Sequence, residues 1–275
     1  MTRYTRLLTL GKLIMFVCVL SIVASLPAFA GMLILNGNYQ TSLNPGESFK
    51  HTTTLSIDPD DLPMNFSVAV YDVKQGLDGY IQINDKSENN YIYTAKPFIN
   101  VSPSYFHLEP GRSQDITISG VLPTEIKGGG RYAAIYAESN SMEKGNMKVK
   151  LAAQIPVIIT VLGDEINYSG EISNFLIDHP ALTKQQNISF LFTNTGNCHY
   201  KVKIESVLKD KAGTILANTS EPLSFDPVLP LFSMLLKTSL VLKEKLNPGA
   251  YYVDVKVRLE DDTILASKEV EFKAT

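Results

Sequence analysis

Four histidines, two cysteines and a few acidic clusters are the residues of this chain whose types could do chemistry. A zinc site needs ligands at a spacing such as His-x-x-His or His-Glu-x-x-His, which sets two of them on one face. His51, His107, His179 and His199 are scattered instead. Cys198-His199 would supply one corner of a metal site, but no two further ligands stand at a recognisable spacing. The dipeptide reads as an ordinary strand start, and Cys198 as a small buried apolar residue. Asp58-Pro59-Asp60-Asp61 and Glu260-Asp261-Asp262 are acidic enough to interest calcium, yet neither has the Asp-x-Asp-x-Asp-Gly order. Both read as solvated turns, where Asp bonds nearby backbone N–H groups. Gly128-Gly129-Gly130 lacks the Gly-Lys-Ser/Thr ending of a phosphate loop, and no Gly-x-Ser-x-Gly elbow occurs. The expectation is a protein that is not an enzyme, with no catalytic residue, no metal and no cofactor.

Composition agrees with an ordinary folded chain. The 275 residues are 44% hydrophobic and 19% charged, with a formal net charge of −3. Global disorder and collagen-like structure are excluded, and a slightly acidic balance argues against a nucleic-acid partner. The chain opens with Arg3, Arg6 and Lys12, followed by an uncharged apolar run over 13–26, Pro27 and the triplet Ala28-Phe29-Ala30. A basic start, an apolar run and small residues at −3 and −1 define a signal peptide over 1–30, cleaved after Ala30. The competing reading is an uncleaved anchor over 13–35, which would be the chain's one membrane contact. Cys18 has no lipobox context. Without residues 1–30, 22 basic side chains face 28 acidic ones, and Cys198 stands alone, so no internal disulfide can form. Five Asn-x-Ser/Thr sequons, at Asn65, Asn100, Asn167, Asn187 and Asn218, read as chance occurrences.

The elements that must position any site are strands. After residue 30 no amphipathic helix is evident; short runs rich in Val, Ile, Thr, Tyr and Phe alternate with Gly, Pro, Asn and Asp. Residues 48–58, 64–73, 113–122 and 130–139 alternate apolar and polar, and 147–162 reads as a long last strand whose Pro156 implies an edge or a bulge. The polar stretch 163–170 marks a boundary, and seven further runs follow between 171 and 274. The fold class is therefore all-β, with two tandem immunoglobulin-like sandwiches over 31–163 and 171–275 and a linker at 164–170. Each is large enough to hold itself together by burial alone.

Residues 98–111 read FINVSPSYFHLEPG, then SQDITISGVLP, and later GGRYAAIYAES. This resembles the second half of the N-terminal domain of the periplasmic pilus-assembly chaperones (PapD-like), and more closely the chaperone-like domains of exported surface proteins. The resemblance covers roughly 98–162. It implies a chaperone-like sandwich and a protein partner. Assembly chaperones hold a subunit's C-terminal carboxylate between a cation on the first strand and one on the last strand of this domain. Here residues 31–49 contain no Lys or Arg, and none lies between Lys150 and the boundary. The alternating face of the last strand, Ile155, Val157 and Ile159, is what remains to bind a strand.

One stretch departs from the expected polarity. Residues 228–236 read VLPLFSMLL, with Phe232, Met234 and Leu236 on one face and Leu231 and Leu235 on the other. A two-faced apolar strand is either central in a sandwich or covered by a partner. Phe232, Met234 and Leu236 join Ile155, Val157 and Ile159 as candidate partner contacts. The reading that follows is an exported, non-enzymatic protein acting by protein–protein interaction in the periplasm or at the cell surface. An assembly chaperone without the cationic anchor is the alternative. A cell-wall carbohydrate-binding module is a second, on Tyr39, Tyr80, Tyr91 and Tyr93.

Overall fold

The computed structural model describes residues 31–84, 91–144, 147–178 and 184–274; the proposed signal segment and His179 lie outside them. The first unit is a sandwich whose strands follow the alternation of the sequence. They are β1 (Met32–Leu35), β2 (Tyr39–Leu43), β3 (Ser48–Ile57), β4 (Met64–Gln75), β5 (Ile81–Asn84), β6 (Ile99–Ser102), β7 (Tyr105–Leu108), β8 (Ser113–Val121), β9 (Gly129–Ser139), β10 (Met142–Lys144), β11 (Met147–Val149) and β12 (Ala152–Val161). One sheet runs β1-β3-β8-β6; the other runs β2-β12-β9-β4-β5, with β7 also on β4. Between them lie Phe49, Leu55, Phe66, Ile116, Ile118, Ile135, Ile155, Val157 and Ile159, all buried. Phe66 and Phe106 stack there at 5.4 Å.

The chain crosses between the two sheets at both margins. After β1, Asn36 takes a left-handed φ of 56° and β2 joins the opposite sheet, parallel to β12. After β6, the cis Ser102–Pro103 bond precedes β7, which pairs with β4. β1 is the apolar MLIL stretch that the anchor reading would have placed in a spanning helix. It is an edge strand paired with β3, Met32 opposite Ile57. Among the described residues no helix is long and apolar enough to cross a membrane.

The second unit comprises β13 (Gly170–Asp178), β14 (Gln185–Asn194), β15 (Lys203–Asp210), β16 (Ile215–Ser220), β17 (Ser233–Val241), β18 (Gly249–Arg258) and β19 (Ile264–Ala274). Its sheets run β13-β14-β17 and β16-β15-β18-β19, closing on Phe190, Phe192, Leu208, Leu240, Val253 and Val255. Its outer faces carry charge ladders such as Lys209 between Asp254 and Glu269, partly exposed pairs at 3.7 and 3.6 Å that are worth little. The Ser206 hydroxyl is buried in β15 with no hydrogen-bond partner among the described residues. An unpaired buried hydroxyl contributes nothing to offset its desolvation. Ser206→Ala is therefore expected to leave stability unchanged or raise it by up to about 1 kcal/mol, read from the urea midpoint.

Candidate functional site: the domain junction and the last strand of the first sandwich

The sheet that contains β9 and β12 is apolar on both faces, and its second face is not left to water. Tyr132, Ala134, Ile158 and Val73 turn away from the first core and form another cluster with Leu229 of the second unit. Ile81, Ile83, Tyr91, Tyr93 and Phe232 pack around it. Tyr91 touches Phe232 at 5.3 Å between ring centroids, and its hydroxyl donates to Pro230 O at 3.2 Å. Burial, and then the neighbouring Tyr93, raise the Tyr91 pKa far above that of an ordinary phenol. A third apolar core thus joins the two units.

Backbone groups that this contact removes from water are met by one amide. Gln75, at the end of β4, donates through Nε2 to Gly79 O at 2.8 Å and to Pro227 O at 2.7 Å. Its Oε1 accepts the Leu229 N–H at 2.9 Å. Leu235 N–H donates to Leu77 O at 2.8 Å, so the first residues of β17 lie against the β4–β5 turn. Gly79 has φ +89°, and a Cβ there would fall 2.7 Å from Met234 Cε. The left-handed φ is what calls for glycine there, since the flexible tip of Met234 would give way to a Cβ.

A second latch sits on the far side. Gly130 N–H donates to Asn197 O at 2.8 Å, and Asn197 Nδ2 reaches Gly128 O at 3.3 Å and Glu165 O at 2.7 Å. The Gly128–Gly130 run is thus the seat of the second unit. Beside it His199 is enclosed: Gln40 Nε2 stands 3.3 Å from Nε2, and the Tyr132 hydroxyl 3.1 Å from Nδ1. Each ring nitrogen of His199 thus has a polar neighbour from the first unit. The Cys198 sulfur lies 3.8 Å from Nδ1, and burial raises its thiol pKa. A cleft of about 420 Å³ opens here, lined by Gln40, Tyr168, His199, Lys201 and Glu260 among others. Among the described residues no three His, Cys, Asp or Glu side chains cluster as a metal site would require.

Burial lowers the His199 pKa from 6.5 to about 4. The unfolded chain therefore takes up this proton first as pH falls. Stability from this group is complete above about pH 6.5 and is lost as pH drops towards 4, by about 3 kcal/mol in all. His199→Gln is expected to flatten that part of the acid limb when urea midpoints are followed from about pH 7 downwards.

β12 is where sequence and structure meet most closely. Ile155, Val157 and Ile159 are wholly buried in the first core. Met234 and Leu236 are buried in the second core, and Phe232 lies in the junction. These six side chains pack the chain's own interior, so what β12 offers outward is its backbone. Its ladder with β9 runs unbroken from Ala152 to Val161 through Pro156, opposite Ala134, with no bulge. β2 covers the other side only from Val157 to Val161. Residues 152–156 therefore form an edge with no strand beside it among the described residues, and Pro156 falls within that stretch. Gln154 is tied to β5, donating to Ile81 O at 2.7 Å and accepting from Ile83 N–H at 2.9 Å. The ammonium of Lys150, just before β12, is 2.6 Å from Glu138.

The tyrosines suggested for sugar stacking are dispersed. Tyr39 stacks on Phe49 and His51, Tyr91 and Tyr93 belong to the junction, and Tyr80 is the exposed one of the four.

No protein-family model and no curated protein matches the chain. Solved structures do. The class 5 fimbriae chaperone CfaA is 14% identical over 89% of this chain and 99% of its own, with a TM-score of 0.40. The E. coli chaperone DraB is 13% identical over 89% and 98%, TM-score 0.35. A chain of the Salmonella enterica SafA pilin–SafB chaperone complex is 10% identical over 90% and 99%, TM-score 0.37. All three are similarities at low sequence identity and low TM-score.

Proposed function

We propose that this chain is an exported, non-enzymatic protein that binds an extended segment of another protein along the open half of β12. The observation that carries the proposal is the edge itself. Residues 152–156 are held rigidly by β9, and β2 stops short of them. Unpaired strand edges bind extended peptides through main-chain bonds, and soluble proteins otherwise cover or charge them. The junction supports the same reading, because two latches and a shared apolar cluster fix the cleft that flanks β2. An assembly chaperone is the narrower form of this function. The absence of Lys and Arg over 31–49 means that any such chaperone works here without a paired cationic anchor. Ala152 is exposed at the start of the open edge. Native isolation from the envelope of an exporting host is expected to recover a bound protein that Ala152→Lys releases. Recovery of a lone monomer from both forms would refute strand addition.

A further inference from the structure

Gly31 is the first described residue, and its nitrogen sits on acid. The nitrogen lies 3.1 Å from Asp61 Oδ2. Asp58 crowds the same residue, so that a Cβ on Gly31 would fall 1.9 Å from Asp58 Oδ2. Asp61 is not the solvated turn residue that the sequence suggests, being only 6% exposed. Its Oδ2 also accepts the Asp58 N–H at 3.2 Å. Backbone bonds close the pocket: Asp58 N–H to Gly31 O at 3.1 Å, Asp61 N–H to Asp58 O at 3.1 Å and Gly111 N–H to Asp58 O at 3.2 Å. Among the described residues neither carboxylate has a Lys or Arg side chain within salt-bridge range. A carboxylate this far from water calls for a cation.

We propose that hydrolysis of the Ala30–Gly31 bond supplies it, and that the new α-ammonium of Gly31 pairs with Asp61 and Asp58 to lock the start of β1. Two independent observations meet at one atom. The Ala28-Phe29-Ala30 triplet marks this bond for an endopeptidase of the signal-peptidase type, and Asp61 Oδ2 stands at the nitrogen that the cut releases, with the exposed Asp58 carboxylate beside the same residue. In the reaction water adds to the Ala30 carbonyl and the C–N bond breaks. Ala30 departs with the carboxylate, and the Gly31 nitrogen takes up the proton. Before the cut this nitrogen is a neutral amide with one N–H. Afterwards it is a cation with three donors, and hydrogen bonds to charged groups are roughly twice as strong as neutral ones. The gain falls on β1, an edge strand that among the described residues pairs with β3 alone. Processing thus completes the fold as well as releasing the chain.

The test uses the whole precursor, expressed in an exporting host. N-terminal sequencing of the exported protein is expected to begin at Gly31. A second precursor carries Ser-Gln inserted between Ala30 and Gly31, so that the same cut leaves the ammonium two residues away from the acids. Asp61→Asn is expected to lower Tm by roughly 3–6 °C more in the native-start protein than in the inserted one. Asp58→Asn makes the same comparison should Asp61→Asn fail to fold. An N-terminus elsewhere, or equal Tm losses in both backgrounds, would overturn the proposal; equal losses would leave Asp61 as a turn cap only.

Discussion

Phe232→Ser combined with Leu236→Ser is expected to cost about 5 kcal/mol and to lower Tm by more than ten degrees, on the order of 2–4 °C per kcal/mol for a chain of this size. The two side chains lie in different apolar clusters. Leu236 is 7% exposed in the second core, where truncation of a leucine costs roughly 2–5 kcal/mol and a serine adds a hydroxyl without a partner. Phe232 is half-buried in the junction against Tyr91, so its loss is smaller, about 2 kcal/mol, and falls on the contact between the units. Because the two lie in different apolar clusters, the losses should add. Calorimetry of both single mutants and the double measures this. A double mutant that melts with the wild type would show that these side chains face a partner instead of the interior.

Gln75→Ala is expected to cost about 3 kcal/mol and to split a single thermal transition into two. The amide is 8% exposed and serves Gly79 O, Pro227 O and Leu229 N–H together. Its removal leaves groups from both units without partners, each worth about 1–3 kcal/mol if water cannot reach it. The lost bonds to Pro227 and Leu229 are the ones that cross between sandwiches, so the variant should let the units unfold separately. A single two-state transition in the variant, with an unchanged midpoint, would show that Gln75 is not what couples them.

The architecture was legible because alternation reports one buried face directly. Phe49, Thr53, Leu55 and Ile57 are inward on β3 just as their spacing implies. The junction was harder to see, since a strand buried on both faces does not alternate. In β9 the run Tyr132, Ala133, Ala134, Ile135 feeds two cores at once, and in β12 Ile158 does the same between Val157 and Ile159. The apolar continuity of these strands was the available signal. The faces expected for Phe232, Met234 and Leu236 assume that one continuous strand carries all three. Pro230 and the left-handed Leu231 (φ 67°) end the previous segment, so β17 starts only at Ser233 and Phe232 points into the junction. Nothing local marked Gln75, whose three partners are far apart in sequence or supplied by a turn. Asp61 was similarly concealed: the turn motif is visible in the sequence, but the residue that covers it is thirty positions earlier.

The open half of β12 is where the proposed partner strand would add. The most direct measurement places a photo-crosslinking amino acid at Ala152 in the exported chain, with a control at the exposed Thr52 on the opposite sheet, and irradiates intact cells. The expected result is one protein adduct from position 152, identified by mass spectrometry, and none from position 52. Equal labelling at both positions, or no adduct at 152 while the chain is folded and exported, would contradict strand addition at this edge.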